Sequence, residues 1–407
     1  MSRLAGGYPD GRGAVMDAAR EHEVIVVGAG PAGATTATAL ARQGRDVLLL
    51  DRHTFPRDKI CGDAISAGAV HIMRELGMAD KIAAAEARGE FHRLDGMRLV
   101  SPSGHLIRAE FRRGVAGEDS YVAPRRYFDA VIHKQAVECG AQFVQAEVKE
   151  PLLEDGRVVG VLARQNGEVK AYRSRVVVGA DGVTSTIMRH LRPEPAQHVD
   201  RHRAVALRAY IEDLELYPHE IEFFLYDEIL PGYAWIFPAG DHVANIGLGM
   251  RLDVFRGLKK NLKQMLRDFL DMPAIRERLT RGGVVRDVAS WQLNFGSQKR
   301  LQHAYDGALL VGDAAGFIDP LTGGGIYNGL VSGVLAADVI DGALRAGDVS
   351  RERLRAYERR CNEKMWSTMR KSYLYQRILM NYPSVVDAGI RYLGRHNGVA
   401  KTFLSKL

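Results

Sequence analysis

A cation and a thiol stand two residues apart in the segment Pro56-Arg57-Asp58-Lys59-Ile60-Cys61-Gly62-Asp63. A thiol in a glycine-flanked turn is placed to be partly exposed and to have its acidity tuned by the neighbouring charge, so Cys61 and Lys59 are catalytic candidates. The plainer reading is a lone cysteine serving as a small hydrophobe. Upstream, the apolar run Val24 to Val27 passes into Gly28-x-Gly30-x-x-Gly33, and a second apolar run, Val47 to Leu50, ends in Asp51. Gly28 permits a tight turn, Gly30 leaves room for a pyrophosphate, and Gly33 lets the following helix approach the strand. The helix N-terminus offers unpaired N–H groups to a diphosphate, and Asp51 can accept hydrogen bonds from both ribose hydroxyls. This unit is a dinucleotide site, and by itself it admits NAD or FAD.

Two distant segments narrow the choice. One is Val176 to Leu191, with a glycine-acid turn at Gly179-Ala180-Asp181-Gly182; the other runs from Tyr305 to Gly333. In the second, a strand delivers Gly312-Asp313, small residues follow, and Pro320 with Gly323, Gly324 and Gly325 opens a helix. A helix N-terminus aimed at an electron-rich ring stabilises negative charge on a reduced flavin. A fourth segment, Gly232-Tyr233-Ala234-Trp235-Ile236-Phe237-Pro238, alternates as a strand and is followed by Asn245-Ile246-Gly247. Tyr233, Trp235, Phe237 and Asn245 are read as substrate-facing, with Tyr233 and Trp235 also catalytic candidates. Ordinary sheet packing would account for the aromatics equally simply.

The elements needed to hold these groups follow from periodicity. Residues 97–112 suggest a hairpin around Ser101-Pro102-Ser103-Gly104, and Arg125-Arg126 opens a helix carrying Phe128, Val131, Ile132 and Ala136. Turns at Glu154-Asp155-Gly156 and Asn166-Gly167 divide short strands, and from about residue 200 longer amphipathic strands follow one another. The expected architecture is α/β with α+β elements. A Rossmann-like FAD-binding domain (21–95, 120–195 and 296–345) is interrupted by an antiparallel-sheet substrate domain (96–119 and 200–295). A loose leader covers 1–20 and a basic helical tail 346–407.

At 46% hydrophobic and 26% charged residues the composition is that of a globular protein, and no run of 18 apolar residues suggests a membrane-crossing helix. Cys61, Cys139 and Cys361 have no metal-ligand spacing, which points to a reducing cytoplasm and no metal site. The net charge of +7 is uneven: residues 351–407 hold thirteen Lys or Arg against four Asp or Glu, leaving −2 for the remainder. Trp366, Tyr373, Leu374 and Tyr382 interleave with those charges, so the tail is either a packed helical cap with a solvated basic face or a peripheral contact with anionic lipid. No nucleic-acid motif accompanies the charge.

The chain resembles the flavoprotein monooxygenase superfamily with the para-hydroxybenzoate hydroxylase fold, and within it the geranylgeranyl reductase family, over roughly residues 22–345. The Pro56 to Gly62 segment is similar to that family's Pro-x-x-Lys-x-Cys-Gly pattern, and the Trp235 segment adds a second likeness. The resemblance implies FAD held by Gly28, Gly30, Gly33, Asp51, Arg125 and Asp313, with the isoalloxazine near Gly323 to Gly325. Ala32, Arg52, Cys61, Gly62, Asp181, Gly312 and Pro320 complete the implied cofactor-binding set. Arg126 is the neighbouring alternative to Arg125. The implied electron donor is NADPH, bound transiently for want of a second glycine motif, or reduced ferredoxin.

If the substrate is a polyprenyl chain, its isolated double bonds are unpolarised, so hydride and proton must arrive together or through a cation-like state. Aromatic faces ease cationic character, a task suited to Tyr233, Trp235 and Phe237. The proton comes from a nearby acid or an ordered water. An FAD-dependent hydroxylase of aromatic or polyketide-like substrates is the alternative. A flavin halogenase, suggested by Lys59, lacks its Trp-x-Trp-x-Ile-Pro signature here, and an electron carrier to quinone would want cluster-ligating cysteines that the sequence does not offer.

Overall fold

The computed structural model describes residues 21–111, 117–192, 199–298, 301–378 and 381–395; the expected leader lies outside them. Strands His22–Val27 and Val47–Asp51 are apolar almost throughout, as strands covered on both faces must be, and they pair in parallel from Val24↔Val47 to Val27↔Leu50. Glu168–Gly179 joins the other side of His22–Val27, Ala308–Leu310 lies beyond it, and Gln142–Gln145 closes the opposite edge, all in parallel. Helices Pro31–Arg42, Ile326–Arg345 and Arg125–Glu138 pack together against this sheet. The hairpin excursion Glu147–Glu154, Arg157–Gln165 and Glu168–Gly179 is antiparallel, and its Asp155-Gly156 and Asn166-Gly167 turns have φ of 48°, 80°, 51° and 86°. Positive φ at both central residues matches the twist of a two-residue hairpin.

A second sheet runs in the order Leu279–Asn294, Arg203–Leu214, Val243–Arg251, Tyr233–Pro238, Glu220–Phe224, Gly96–Val100, Leu106–Glu110. The early hairpin thus joins the later strands, although they are separated in sequence by the Arg125–Glu138 helix and half of the first sheet. The later strands pair antiparallel as expected, and the early hairpin joins them by one parallel pair, Glu220–Phe224 with Gly96–Val100, because the two enter from different passes of the chain. Behind the sheet lies helix Leu262–Leu270, with Leu262, Met265, Leu266 and Phe269 buried on one stripe. Each such side chain contributes roughly 1.5–3 kcal/mol when fully buried. Asn261 starts that helix by accepting a hydrogen bond from Gln264 N–H at 2.9 Å. Three short strands, Ala64–Ile65, Ser120–Val122 and His92–Leu94, form a small sheet beside the cysteine turn.

The tail divides into two parts. Leu354, Tyr357, Cys361, Met365 and Met369 are buried in the core of the first sheet, so residues 351–369 form a packed cap. Helix Pro383–Arg395 sits against the early hairpin through Val386 and Ile390, with Asp387 accepting from Ser101 Oγ at 2.6 Å and Ser103 N at 3.2 Å. No described helix is long and apolar enough to cross a membrane.

Candidate active site

The glycine turn has the shape the sequence asks for. Gly28 has φ of 100°, and a β-carbon on it would lie 2.5 Å from the Ala180 carbonyl oxygen. One on Gly33 would lie 1.8 Å from the Gly28 oxygen. At Gly30, which caps helix Pro31–Arg42 without any side-chain hydrogen bond, the nearest atom to an added β-carbon is Arg57 Nη2 at 3.6 Å. The turn is therefore tight where the chain packs on itself and open where an anion must approach. Asp51 holds this mouth: its Oδ2 accepts from Ala29 N and its Oδ1 from His53 N, both at 2.8 Å. This geometry fits the diphosphate and ribose of FAD. Arg52 is exposed and donates to His53, and Asp181 spends its oxygens on Ser185 and, at 2.6 Å, on Thr186 N, capping helix Thr186–Leu191.

Ala32 packs against Gly312, which has φ of 56° and opens the turn carrying Asp313. Asp313 Oδ2 lies 3.7 Å from Lys59 Nζ, and its Oδ1 lies 3.0 Å from where a β-carbon on Gly325 would stand. Gly325 begins helix Ile326–Arg345 with no side-chain cap. Pro320 accepts from Gln376 at 2.5 Å, so helix Ser367–Ile378, which continues the packed cap, also steadies this loop. Tyr233 donates its hydroxyl to the Thr322 carbonyl, and that hydroxyl lies 3.0 Å from an added β-carbon on Gly323. Gly324, beside it, is exposed.

Strand alternation puts Tyr233, Trp235 and Phe237 on one face. Their rings meet edge to face or tilted, at 6.0 Å between the first pair and 6.1 Å between the second. The cysteine turn comes down on this face: a β-carbon on Gly62 would lie 3.2 Å from Phe237 and 3.7 Å from Trp235 Nε1. Trp235 Nε1 donates to Asn245 Oδ1 at 2.9 Å, and Asn245 Nδ2 donates to the Cys61 carbonyl at 2.7 Å and to Asp63 Oδ2 at 2.8 Å. Two adjacent strands, far from the cysteine turn in sequence, thus close over it.

The electrostatics depart from expectation in one respect. Lys59 is not the cation that acts on the thiol; it pairs with Asp313, and burial pulls its pKa below the usual lysine range against that carboxylate's opposing effect. Arg125 lies against Cys61 instead. Arg125 is turned inward and Arg126 outward, and its fork binds Asp129 at 2.6 and 2.8 Å, with Arg57 on the same carboxylate at 2.7 Å. Burial pushes the Cys61 thiol up, and Arg125 only partly restrains it. For Arg125 burial works in the opposite sense, yet Asp129 and Cys61 hold its proton more tightly than usual.

Sequence reasoning missed Asp63 and Tyr210. Asp63 is fully buried, its Oδ2 accepts from Tyr210 Oη at 2.5 Å, and its Oδ1 has no partner among the described residues. Burial raises it to about 6, with Tyr210 and Asn245 pulling the other way. Its place directly after Lys-x-Cys-Gly was the available signal. Nothing local announced Tyr210, which lies 147 residues away.

The FAD binding domain family matches residues 21–372. A digeranylgeranylglycerophospholipid reductase from Methanocella arvoryzae is 31% identical over 363 residues, covering 88% of this chain and 87% of that protein. The solved structure of a geranylgeranyl bacteriochlorophyll reductase-like protein from Thermoplasma acidophilum superposes with a TM-score of 0.82 at 26% identity, over 92% of each chain. A myxobacterial chondrochloren halogenase, at 24% identity and a TM-score of 0.74 over 89% of this chain and 84% of that one, shows the shared fold alone. With its glycine turn, its Lys-x-Cys-Gly segment and its aromatic strand in these positions, the chain belongs to the geranylgeranyl reductase family of FAD-dependent oxidoreductases.

Proposed function

We propose that this protein reduces isolated C=C bonds of geranylgeranyl chains, carried on a glycerophospholipid or a related isoprenoid. The observation that carries the reading is the junction of the aromatic strand with the cysteine turn beside the Gly323 to Gly325 helix start. An apolar chain lying there meets ring faces on one side and a proton-bearing turn on the other. Bound and reduced FAD supplies the hydride. The glycine turn and the N-terminus of helix Pro31–Arg42 hold the diphosphate, Asp51 the ribose, and Asp313 with the Gly323 to Gly325 backbone the flavin ring. Lys59, tied to Asp313, places positive charge near the flavin. Tyr233, Trp235 and Phe237 shield the reacting carbons from water and favour cationic character at the carbon that receives the hydride. Cys61 delivers the proton to the other carbon.

The test is to reduce the protein without oxygen and add geranylgeranyl glycerophospholipid. The flavin is expected to reoxidise while the product gains two hydrogens for each bond reduced. Reoxidation only after oxygen is admitted, with oxygen in the product, would transfer the protein to the hydroxylase reading. Supplying NADPH or reduced ferredoxin in place of a chemical reductant identifies the donor. Cys61→Ala is expected to keep FAD while turnover falls roughly 100-fold, the usual scale for removing a proton donor. Full turnover of the folded variant would take Cys61 out of the reaction.

A lipid substrate also gives meaning to the outer tail. Tyr382, Val385 and Tyr392 are 59%, 47% and 56% exposed on the last helical region, where Arg391 is paired with Asp387 at 3.0 Å, so the face offers aromatic and aliphatic anchors to a lipid surface. Because residues 351–369 are core, deleting the whole tail would damage the fold. Serine at Tyr382, Val385 and Tyr392 together is the cleaner variant. It is expected to lose flotation with anionic liposomes, and equal flotation would discard lipid contact at this face.

A further inference from the structure

Asp63 is held by its backbone and satisfied on only one side of its carboxyl group. It has φ of 65°, in the left-handed region that aspartate and asparagine enter more readily than other side chains. Its main chain is fixed on both sides: its carbonyl accepts from Ala123 N at 2.9 Å and its N–H points to Cys61 Sγ at 3.4 Å. Tyr210 and Asn245 both donate to one carboxyl oxygen, and the other has no partner among the described residues. A buried oxygen without a donor is costly for a structural carboxylate and natural for one that exchanges a proton.

We propose that Asp63 is the proton reservoir of this site, restoring the proton of Cys61 after each double bond is reduced. The proposal rests on the reductase reading above. Reduction adds a hydride to one alkene carbon and a proton to the other. That proton leaves the Cys61 thiol, the S–H electron pair staying on sulfur beside Arg125. The Asp63 carboxyl then gives its O–H proton to the sulfur, the thiol is restored, and the resulting carboxylate takes a proton from solvent between turnovers. The transfer runs downhill, because burial lifts the thiol above its ordinary range while the carboxyl titrates at about 6. The groups facing the pair set these positions. Arg125 and Arg208 favour the carboxylate, Tyr210 donates to it, Tyr233 faces the sulfur, and Asp129 and Asp58 neutralise the two guanidiniums. Asp63 acts through Cys61 and is a positioning residue in that sense.

Asparagine tolerates left-handed φ well, so Asp63→Asn suits the turn. In the wild type, turnover is expected to fall as pH rises past about 6, where the carboxyl loses its proton. Asp63→Asn is expected to lower turnover at pH 6 roughly 10-fold or more and to abolish that limb. Tyr210→Phe removes a donor to the carboxylate, so its limb is expected to move to higher pH. A retained limb in Asp63→Asn, or a limb moved to lower pH in Tyr210→Phe, overturns the proposal. A second readout needs neither FAD nor substrate: the pH dependence of Cys61 alkylation in cofactor-free protein, resolved by mass spectrometry. Removing the Asp63 charge is expected to make Cys61 alkylate at lower pH than in the wild type. Identical alkylation profiles would show that Asp63 and Cys61 are not coupled, whatever the substrate proves to be.

Discussion

Gly33→Ala is expected to prevent the protein from accumulating as a folded, FAD-loaded species. The added β-carbon would stand 1.8 Å from the Gly28 carbonyl oxygen and 3.0 Å from Ala180 Cβ. Neither neighbour can give way cheaply. Gly28 is already committed to positive φ, and its N–H donates to the Leu50 carbonyl at 2.7 Å, while Ala180 N–H donates to the Val27 carbonyl at 2.8 Å. Helix Pro31–Arg42 must therefore back away from the sheet, which costs about 3 kcal/mol and displaces the N–H groups proposed above to face the diphosphate. The same change at Gly342 makes the contrast. That glycine is helical with nothing within 4 Å of an added β-carbon, so Gly342→Ala is expected to stabilise by roughly 0.5–1 kcal/mol. Urea midpoints with and without FAD check both. A Gly33→Ala protein with wild-type midpoint and flavin content would show that the close approach is not needed.

The second large effect lies in the buried ion pair. Arg125 and Asp129 are four residues apart on helix Arg125–Glu138, and their side chains are 4% and 0% exposed. Arg125→Met leaves Asp129 facing Arg57 alone and deprives the Cys61 sulfur of its cation. Breaking one side of such a pair costs about 3 kcal/mol or more, because the surviving charge stays in a medium that solvates it poorly. Asp129→Asn is expected to cost a similar amount, and the double variant distinctly less than the sum. Denaturant unfolding of the cofactor-free proteins gives the cycle. Strictly additive costs would mean that the two groups do not stabilise each other.

The sequence showed the parts of this molecule that are built from near neighbours. The glycine turn, the two-residue hairpin turns at Asp155-Gly156 and Asn166-Gly167, and the apolar parallel strands are each specified by a handful of adjacent residues. The Lys-x-Cys-Gly segment and the aromatic strand were visible as separate pieces, and their meeting was not. Strand Leu279–Asn294 escaped notice because Val284, Val285 and Val288 are exposed and Gly282 with Gly283 breaks its pattern; its pairing with Arg203–Leu214 holds it extended. The cation beside the thiol was misassigned for the same reason. Lys59 is near Cys61 along the chain, whereas Arg125 is brought to it by the rotation of a helix about sixty positions on. Asp63 was legible as a letter in a motif, and its burial under Tyr210 depended on a strand from the other sheet.

The order of strands in the first sheet has a consequence for how the molecule comes into being. His22–Val27 takes one neighbour from Val47–Asp51 and the other from Glu168–Gly179, and the latter waits for Ala308–Leu310. A chain emerging from the ribosome can close the first pair early. It lacks strand Ala308–Leu310, Asp313 and the Gly325 helix start until some three hundred residues after the first strand have been made. Contacts of such long sequence separation are entropically expensive to close and slow to form. In the interval the early hairpin Gly96–Val100 and Leu106–Glu110 has an unpaired edge that belongs to Glu220–Phe224. Both sheets are therefore completed only by segments synthesised long after their first strands.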